Sequence, residues 1–501
     1  MKESTRSRII LSQVVVLLIF IVGYATMRIF FLTQVHFEPF ERIFSTLFLA
    51  AELFVLFHAV GFFLNIISEN RRHEEPNRKE PGEGASVAIL IPARHEPKAV
   101  IESTLLTCLN LEYPRKQVYL LDDSSIESYK EEARELAARL GATLFTRASN
   151  RGAKAGMIND AITTLDEKYV AIFDADQNPM PSFLDQLIPF MEGDERLAFV
   201  QTPQFYSNTD ASRVATVSHA QQAVFFEYVC NGKSSRDSMF CCGTNVVIRR
   251  NALCDVAGFD EGSVTEDLAT SLNLHLKQWK SLYYNKAYTY GMAPEDLGAY
   301  FTQQNRWATG SINLFRKLVK LFFTDFRALK PIQWYEYLLT STYYFIGWAY
   351  LILIAGPIIY IFSGLPWFFM EIWAYVLLFI PYLLLSLIVF YSGMKRRHYP
   401  APDMFRAQML TMISIPVHIR ASILGLLNVK ARFQVTPKGG SKTLPYPLLW
   451  AQLLLWGVHV SALTWGVMRL YYEHNLAVGL NVLWVGVHFI MFSSIFYFNR
   501  E

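Results

Sequence analysis

Apolar residues gather in long, charge-poor runs at both ends of the chain, while the middle alternates short apolar runs with amphipathic ones. A helix needs about 20 apolar residues to cross a bilayer core. Residues 9–31 and 43–67 meet that length near the N-terminus. The first run lacks the short apolar core and small-residue cleavage site of a secretory signal, so it reads as a resident anchor. Glu52 and His58, in the second, are costly in lipid and are expected to face protein or a cavity. Residues 337–362, 367–391, 446–470 and 476–498 supply further spans. Residues 303–323 and 404–427 are apolar on one side but carry Arg and Lys, which predicts helices at the membrane surface.

Between the second and third spans the periodicity changes. Residues 87–91, 118–121 and 169–173 are short apolar runs of buried-strand type. Residues 99–109 and 126–140 have helical spacing, and Gly141 supplies a stop after the second. Strands alternating with helices predict an open, mostly parallel α/β sheet. The expected order is two spans (1–67), a polar linker (68–84), the α/β domain (85–300), interfacial helices (301–335), two spans (336–392), an interfacial helix (393–428), a loop (429–445) and two last spans (446–501). Lys2, Arg6 and Arg8, then Arg71, Arg72, Arg78 and Lys79, then Lys395, Arg396 and Arg397 all fall on one face of this arrangement. The positive-inside rule makes that face cytoplasmic. A multi-pass plasma (inner) membrane protein follows, with the α/β domain and both termini in the cytoplasm.

Composition narrows the function classes. The net charge of +3 over 501 residues, without a basic cluster interleaved with aromatics, argues against nucleic acid. The five cysteines, Cys108, Cys230, Cys241, Cys242 and Cys254, form no CxxC pair, which argues against a disulfide framework and a zinc site.

Two acidic groups follow predicted strands: Asp122-Asp123 and Asp174-Ala175-Asp176. Ligands of open α/β sheets bind outside the carboxyl ends of the strands. Carboxylates repel a pyrophosphate directly, but a bridging hard cation, Mg²⁺ or Mn²⁺, reconciles the two. Taken singly, each group also fits a plain turn or cap. Thr265-Glu266-Asp267 precedes a helical stretch and fits either an N-cap or a carboxylate general base. In Gln303-Gln304-Asn305-Arg306-Trp307, Arg306 suits a diphosphate and Trp307 a sugar ring, or both anchor a helix at lipid headgroups. Lys154 suits either phosphate or a solvated helix start.

Together with Lys154-Ala155-Gly156, Val200-Gln201-Thr202-Pro203, Phe240-Cys241-Cys242-Gly243 and Phe433-Gln434-Val435-Thr436, these motifs resemble, in order, those of the cellulose synthase-like processive glycosyltransferases of family 2. The resemblance covers about residues 87–438, and its most specific part is TED followed by QxxRW, then FxVT. It implies a Rossmann-like GT-A domain (the nucleotide-diphospho-sugar transferase fold) packed on a transmembrane channel. It also implies inverting polymerisation of a β-linked polysaccharide, with a cellulose-like β-glucan from UDP-glucose the best guess.

Residue by residue, the resemblance implies that Asp122 and Asp123 meet the nucleoside side of the donor, with Glu96 and Lys154 also binding donor. Asp176, with Asp174, would hold Mg²⁺ or Mn²⁺. Asp267 would be the general base, with Glu266 shaping its pocket. Gln303 and Arg306 would bind the diphosphate, and Trp307 would stack on the terminal sugar. Phe433, Val435 and Thr436 would form a gating loop, and Cys241, Cys242 and Gln201 would lie near the acceptor. The implied partners are a UDP-sugar, the growing β-glycan, membrane lipid and, in a two-membrane host, a periplasmic or outer-membrane export partner.

The chain departs from the family pattern in three places. Ala93-Arg94-His95-Glu96 stands where the family has Thr-Tyr-Asn-Glu, so the aromatic contact to uracil is expected to be replaced by an arginine plane or lost. Gly152 replaces a His. No PilZ-type domain follows the last span, so regulation by cyclic di-GMP through such a domain is not expected. Two other readings stay open: a transferase adding one or a few sugars to a lipid, and a nucleotide-sensing receptor or transporter without turnover.

Overall fold

The structure is a computed structural model that describes residues 3–35, 38–71, 76–368, 370–429 and 442–500. Phe433, Val435 and Thr436 lie outside the described residues.

The α/β domain contains β1 (Val87–Ala93), β2 (Lys116–Asp122), β3 (Thr143–Thr146), β4 (Tyr169–Ile172), β5 (Asn178–Pro179), β6 (Leu197–Gln201), β7 (Phe205–Tyr206), β8 (Val246–Arg249), β9 (Lys280–Tyr283) and β10 (Thr289–Gly291). Seven strands form one sheet in the order β3-β2-β1-β4-β8-β6-β9, and a small sheet has the order β5-β10-β7. The unbroken apolar run of β1 has a direct cause. Val87, Ile89, Ile91 and Ala93 enter one core and Ala88 and Leu90 the opposite one, so both faces are covered. β4 divides its side chains in the same way.

β1, β2 and β4 are parallel, in a register that pairs Ala93 with Asp122 and Leu90 with Ile172. Their carboxyl ends, and the acids that follow them, therefore lie side by side. β2 lies on one side of β1 and β4 on the other, the kind of switch point at which open sheets bind ligands. The expected parallel sheet is broken at one strand, because β8 runs antiparallel to β4 and β6. A strand buried on both faces has the same apolar pattern in either direction, so composition cannot reveal its sense. The helix Glu127–Leu140 ends as expected at Gly141, whose φ of 75° and bond to the Ala137 carbonyl close the last turn.

Among the described residues, six helices are long and apolar enough to cross a membrane: Arg8–Gln34, Pro39–Ser68, Pro331–Ser363, Ile372–Arg396, Tyr446–Glu473 and Leu476–Phe498. Glu52 and His58 face protein. Glu52 pairs with Arg28 at 2.8 Å and accepts from the Tyr24 hydroxyl, and His58 Nε2 lies 3.3 Å from the Thr342 hydroxyl. The expected surface stretch 404–427 is two helices, Ala401–Ile413 and Ile415–Leu426, bent by 49°. Pro416 lies just past the break and cannot donate to the helical ladder. The helix Leu297–Thr324 begins before residue 301, so the expected domain boundary falls inside one continuous helix, capped by Asp296 through the Ala299 N–H at 2.8 Å.

A buried ionic knot ties the α/β domain to the membrane helices. Lys233 Nζ lies 2.8 Å from Glu336 Oε2, and Arg236 pairs with the other carboxylate oxygen. Arg236 also reaches Asn65 Oδ1 at 2.9 Å and the Ser68 hydroxyl at 2.8 Å. Removing one partner of such a set strands the remaining charges away from water. Glu336→Ala is expected to destabilise the protein by about 3–5 kcal/mol. A fall in the thermal unfolding midpoint in nanodiscs checks this, and an unchanged midpoint would count against the knot.

Candidate active site

A pocket opens at the carboxyl ends of β1, β2 and β4, and residues from nine stretches of chain line it. Arg94, Glu96, Asp123, Asp174 and Asp176 come from the strand ends, Lys154 from the start of a helix, Cys242 and Gly243 from the loop before β8, Glu266 and Asp267 from the next helix, and Gln303, Arg306 and Trp307 from the helix Leu297–Thr324.

Of the first acidic pair, only Asp123 lines the pocket. Arg147 grips its carboxylate with two bonds, at 2.9 and 3.1 Å, and Arg94 lies 3.9 Å away. Asp122 is buried beneath the lining, where its Oδ1 accepts from the Ser124 N–H at 3.1 Å. Asp122 thus closes a strand-end turn just behind the lining. Glu96 accepts from the backbone N–H of Arg94, which folds the Ala93–Glu96 segment over the pocket mouth.

Asp174 and Asp176 both face the pocket. Lys154 donates to Asp174 Oδ1 and to the Gly243 carbonyl at 2.8 Å. Asp176 is 5% exposed and accepts from the Met292 N–H at 3.3 Å. Among the described residues, no group of three or more His, Cys, Asp or Glu side chains surrounds one point. Two carboxylates with hard oxygen donors nevertheless fit Mg²⁺ or Mn²⁺, cations that are commonly held by one or two carboxylates plus phosphate and water.

Thr265 stands at the N-cap position of the helix Glu266–Leu276 with Glu266 and Asp267 in the first turn, without a side-chain cap bond. Its buried hydroxyl has no partner among the described residues. The Asp267 carboxylate is pushed up to about 7, first by burial and next by the Glu266 charge, while Lys154 and Arg306 oppose the shift. Burial works against the Lys154 charge, yet Asp174, Glu266 and Asp267 outweigh it and hold the ammonium above its ordinary range. Gly243, at φ 81°, is the residue that permits this closeness, because a Cβ there would sit 2.9 Å from Asp267 Oδ2.

Gln303, Arg306 and Trp307 share one helical face by their spacing, and all three line the pocket. Trp307 also packs against the buried cluster of Ala308, Ile312, Tyr344 and Ala421, which places it in protein rather than at a lipid surface.

Two residues expected near the acceptor lie behind the lining. Gln201 is fully buried and spends its amide on the loop before β8, donating to the Thr244 carbonyl at 2.8 Å and accepting from the Cys242 N–H at 2.8 Å. Cys241 is buried behind the lining, its N–H bonded to the Ser271 hydroxyl at 2.8 Å. Cys242 does face the pocket. Sequence reasoning missed Arg147, Gln204, Tyr206 and Met292. Only Arg147 carried a usable signal, a cation just past β3, next to the end of β2.

Comparisons with known proteins agree with this geometry. The family model described as glycosyltransferase like family 2 matches residues 84–310, and the model described as cellulose synthase matches residues 254–463. The chain is 28% identical over 481 residues to the UDP-forming catalytic subunit of cellulose synthase 1 from Komagataeibacter xylinus, covering 92% of this chain and 62% of that one. It is 28% identical over 493 residues to cellulose synthase 2 from Novacetimonas hansenii, covering 95% of this chain and 30% of that one. Across residues 84–463 the chain is thus similar to the cellulose synthase-like glycosyltransferases of family 2. It spans 30% of the length of the first relatives it matches. A solved mannosyltransferase from Pyrobaculum calidifontis, in complex with GDP-Man and Mn²⁺, shares the fold with TM-score 0.50 at 17% identity, covering 77% of this chain and 100% of that one.

Behind the pocket, Gly310 lies against Thr265, and a Cβ at Gly310 would sit 2.2 Å from Thr265 Cγ2. Gly310→Ala is expected to push the segment bearing Glu266 and Asp267 out of place. Sugar transfer should fall at least tenfold while the protein still folds, the size of effect that small misplacement of reacting groups produces. Full activity in that variant would show that the contact does not position the site.

Proposed function

We propose that this transferase is an inverting, processive β-glycan synthase that takes a UDP-sugar, UDP-glucose first among them, and passes its polymer through its own membrane helices. The observation that carries the reading is the meeting, in one pocket, of a half-buried carboxylate with a raised pKa, an Asp-Ala-Asp pair and an Arg–Trp helix face. The cytoplasmic placement of the α/β domain rests on the basic clusters beside the spans.

Each residue takes a role from its position. Asp123 and Glu96 bind the nucleoside side of the donor. Asp176, with Asp174, would hold Mg²⁺ or Mn²⁺, which would supply positive charge against the diphosphate. Gln303 and Arg306 bind the diphosphate, Arg306 through its planar fork. Trp307 stacks on the terminal sugar of the acceptor. Asp267 takes the proton from the acceptor hydroxyl as that oxygen bonds to the sugar C1. The C1–O bond to the diphosphate breaks, and its electron pair leaves with UDP. Attack from the face opposite UDP turns an α-linked donor into a β-linked product.

A base with a pKa near 7 is well matched to neutral pH. Asp267 must be ionised to act, so kcat/KM should rise through about pH 7 and fall about tenfold per unit below it. Lys154 lowers the Asp267 pKa, so Lys154→Met should move this limb to higher pH. Asp267→Asn is expected to cut transfer by about 10²–10⁴-fold with UDP binding retained. A variant that keeps normal turnover would remove Asp267 as the base.

The decisive assay supplies UDP-sugars one at a time, with Mg²⁺ or Mn²⁺, to the protein in nanodiscs and follows UDP release and product length. Polymer from UDP-glucose, digested by linkage-specific glucanases, supports the proposal. Short lipid-soluble product overturns the processive part. Trp307→Ala should shorten the product more than it weakens donor binding, and normal-length polymer from it would contradict the stacking role.

A further inference from the structure

A second cavity, of about 390 Å³, opens where the α/β domain meets the end of the helix Leu476–Phe498. Arg213, Arg406, Arg500 and Tyr497 line it, together with Asp210 and Asp403. These residues come from the α/β domain, from the helix Ala401–Ile413, and from the end of the last span and the chain just past it. Two of the guanidinium groups are held around one ring. Arg213 lies 4.6 Å from the Tyr497 centroid and donates to the Tyr497 carbonyl at 3.0 Å, and Arg406 lies 5.7 Å from the same centroid. Asp403 takes one bond from Arg406 at 2.8 Å. Three arginines against two aspartates leave the cavity positive.

The cavity also lies beside the ends of two spans. Asn499 and Leu444 bond to each other's backbone or side chain at 2.8 and 2.9 Å, which brings the end of one span beside the start of another. Around this level Phe405, Tyr446 and Trp450 stand 45%, 53% and 67% exposed. Exposed Tyr and Trp rings at the ends of spans mark the headgroup layer.

We propose that this cavity seats the phosphate group of an anionic lipid headgroup, held by Arg213, Arg406 and Arg500. Free phosphate has the same chemistry, but the exposed rings beside the cavity offer apolar ground that only acyl chains use. Binding here is separate from the transfer reaction, so lipid retention is the readout and turnover is not.

The full-length protein is placed in phosphatidylcholine nanodiscs containing a minor fraction of phosphatidylglycerol, and native mass spectrometry counts the retained lipid. Phosphatidylglycerol should be retained in clear excess over its share. Each of Arg213→Gln, Arg406→Gln and Arg500→Gln should weaken that preference about fivefold. Asp403→Asn removes a competing carboxylate and should strengthen it, a gain that a purely structural role would not produce and one that does not depend on the arginine variants folding. Equal retention of the two lipids, or a preference unchanged in the arginine variants, overturns the proposal. Inorganic phosphate titrated into nanodiscs of phosphatidylcholine alone forms the second arm. Phosphate binding without any phosphatidylglycerol preference overturns the lipid source.

Discussion

Asp174, Glu266 and Asp267 crowd a single ammonium group, and the pocket depends on how that charge is shared. Lys154 forms its direct ion pair with Asp174, while Glu266 and Asp267 feel it only through space. The carboxylate left with the weaker share, Asp267, is the one pushed up to about 7, by burial and by Glu266. Burial and the Glu266 charge raise the proton affinity of Asp267, and Lys154 opposes both. The Gly243 carbonyl fixes the ammonium from a further direction. The sharing is therefore set by backbone as well as by charge.

That backbone is held by residues with no place in the lining. Gln201 ties the loop carrying Cys242 to β6, Ser271 holds Cys241, and the Thr244 hydroxyl accepts from the Asp174 N–H at 2.8 Å. The loop before β8 consequently moves as one piece with the Asp-Ala-Asp turn. An antiparallel β8 between β4 and β6 is what puts that loop at the same edge of the sheet as the parallel strand ends.

The sequence showed its local features well. Apolar run length located the spans, and acids directly after apolar runs located the strand ends, because both signals lie within a few residues of each other. Gln303, Arg306 and Trp307, grouped in one motif, share one lining. What sequence could not supply was the facing of individual residues. Asp122 and Asp123 are adjacent, and only the hydrogen bond from Ser124 turns the first one inward. Gln201 sits in a motif yet serves the backbone, because β6 is buried on both faces. The grip of Arg147 on Asp123 joins β3 to β2 and exists only once the sheet has formed. The early start of the helix at Leu297 was readable, since Asp296 is a favourable N-cap.

The helix Leu297–Thr324 connects these levels. One part of its surface presents Gln303, Arg306 and Trp307 to the pocket, and another buries Ala308 and Ile312 against Tyr344 and Ala421. Gly425 lets the helix Ile415–Leu426 approach closely, since a Cβ there would sit 2.8 Å from Ile312. The Lys233–Glu336–Arg236 knot then fixes the α/β domain to the same membrane helices. The groups assigned to the diphosphate and to the acceptor are thus mounted on a rod clamped by the bundle, while the carboxylates are mounted on the sheet. Neither part holds the complete pocket alone. A change in how the bundle packs on this helix must therefore alter the distance between Arg306 and the acids opposite it, and that makes the membrane helices part of the site's geometry.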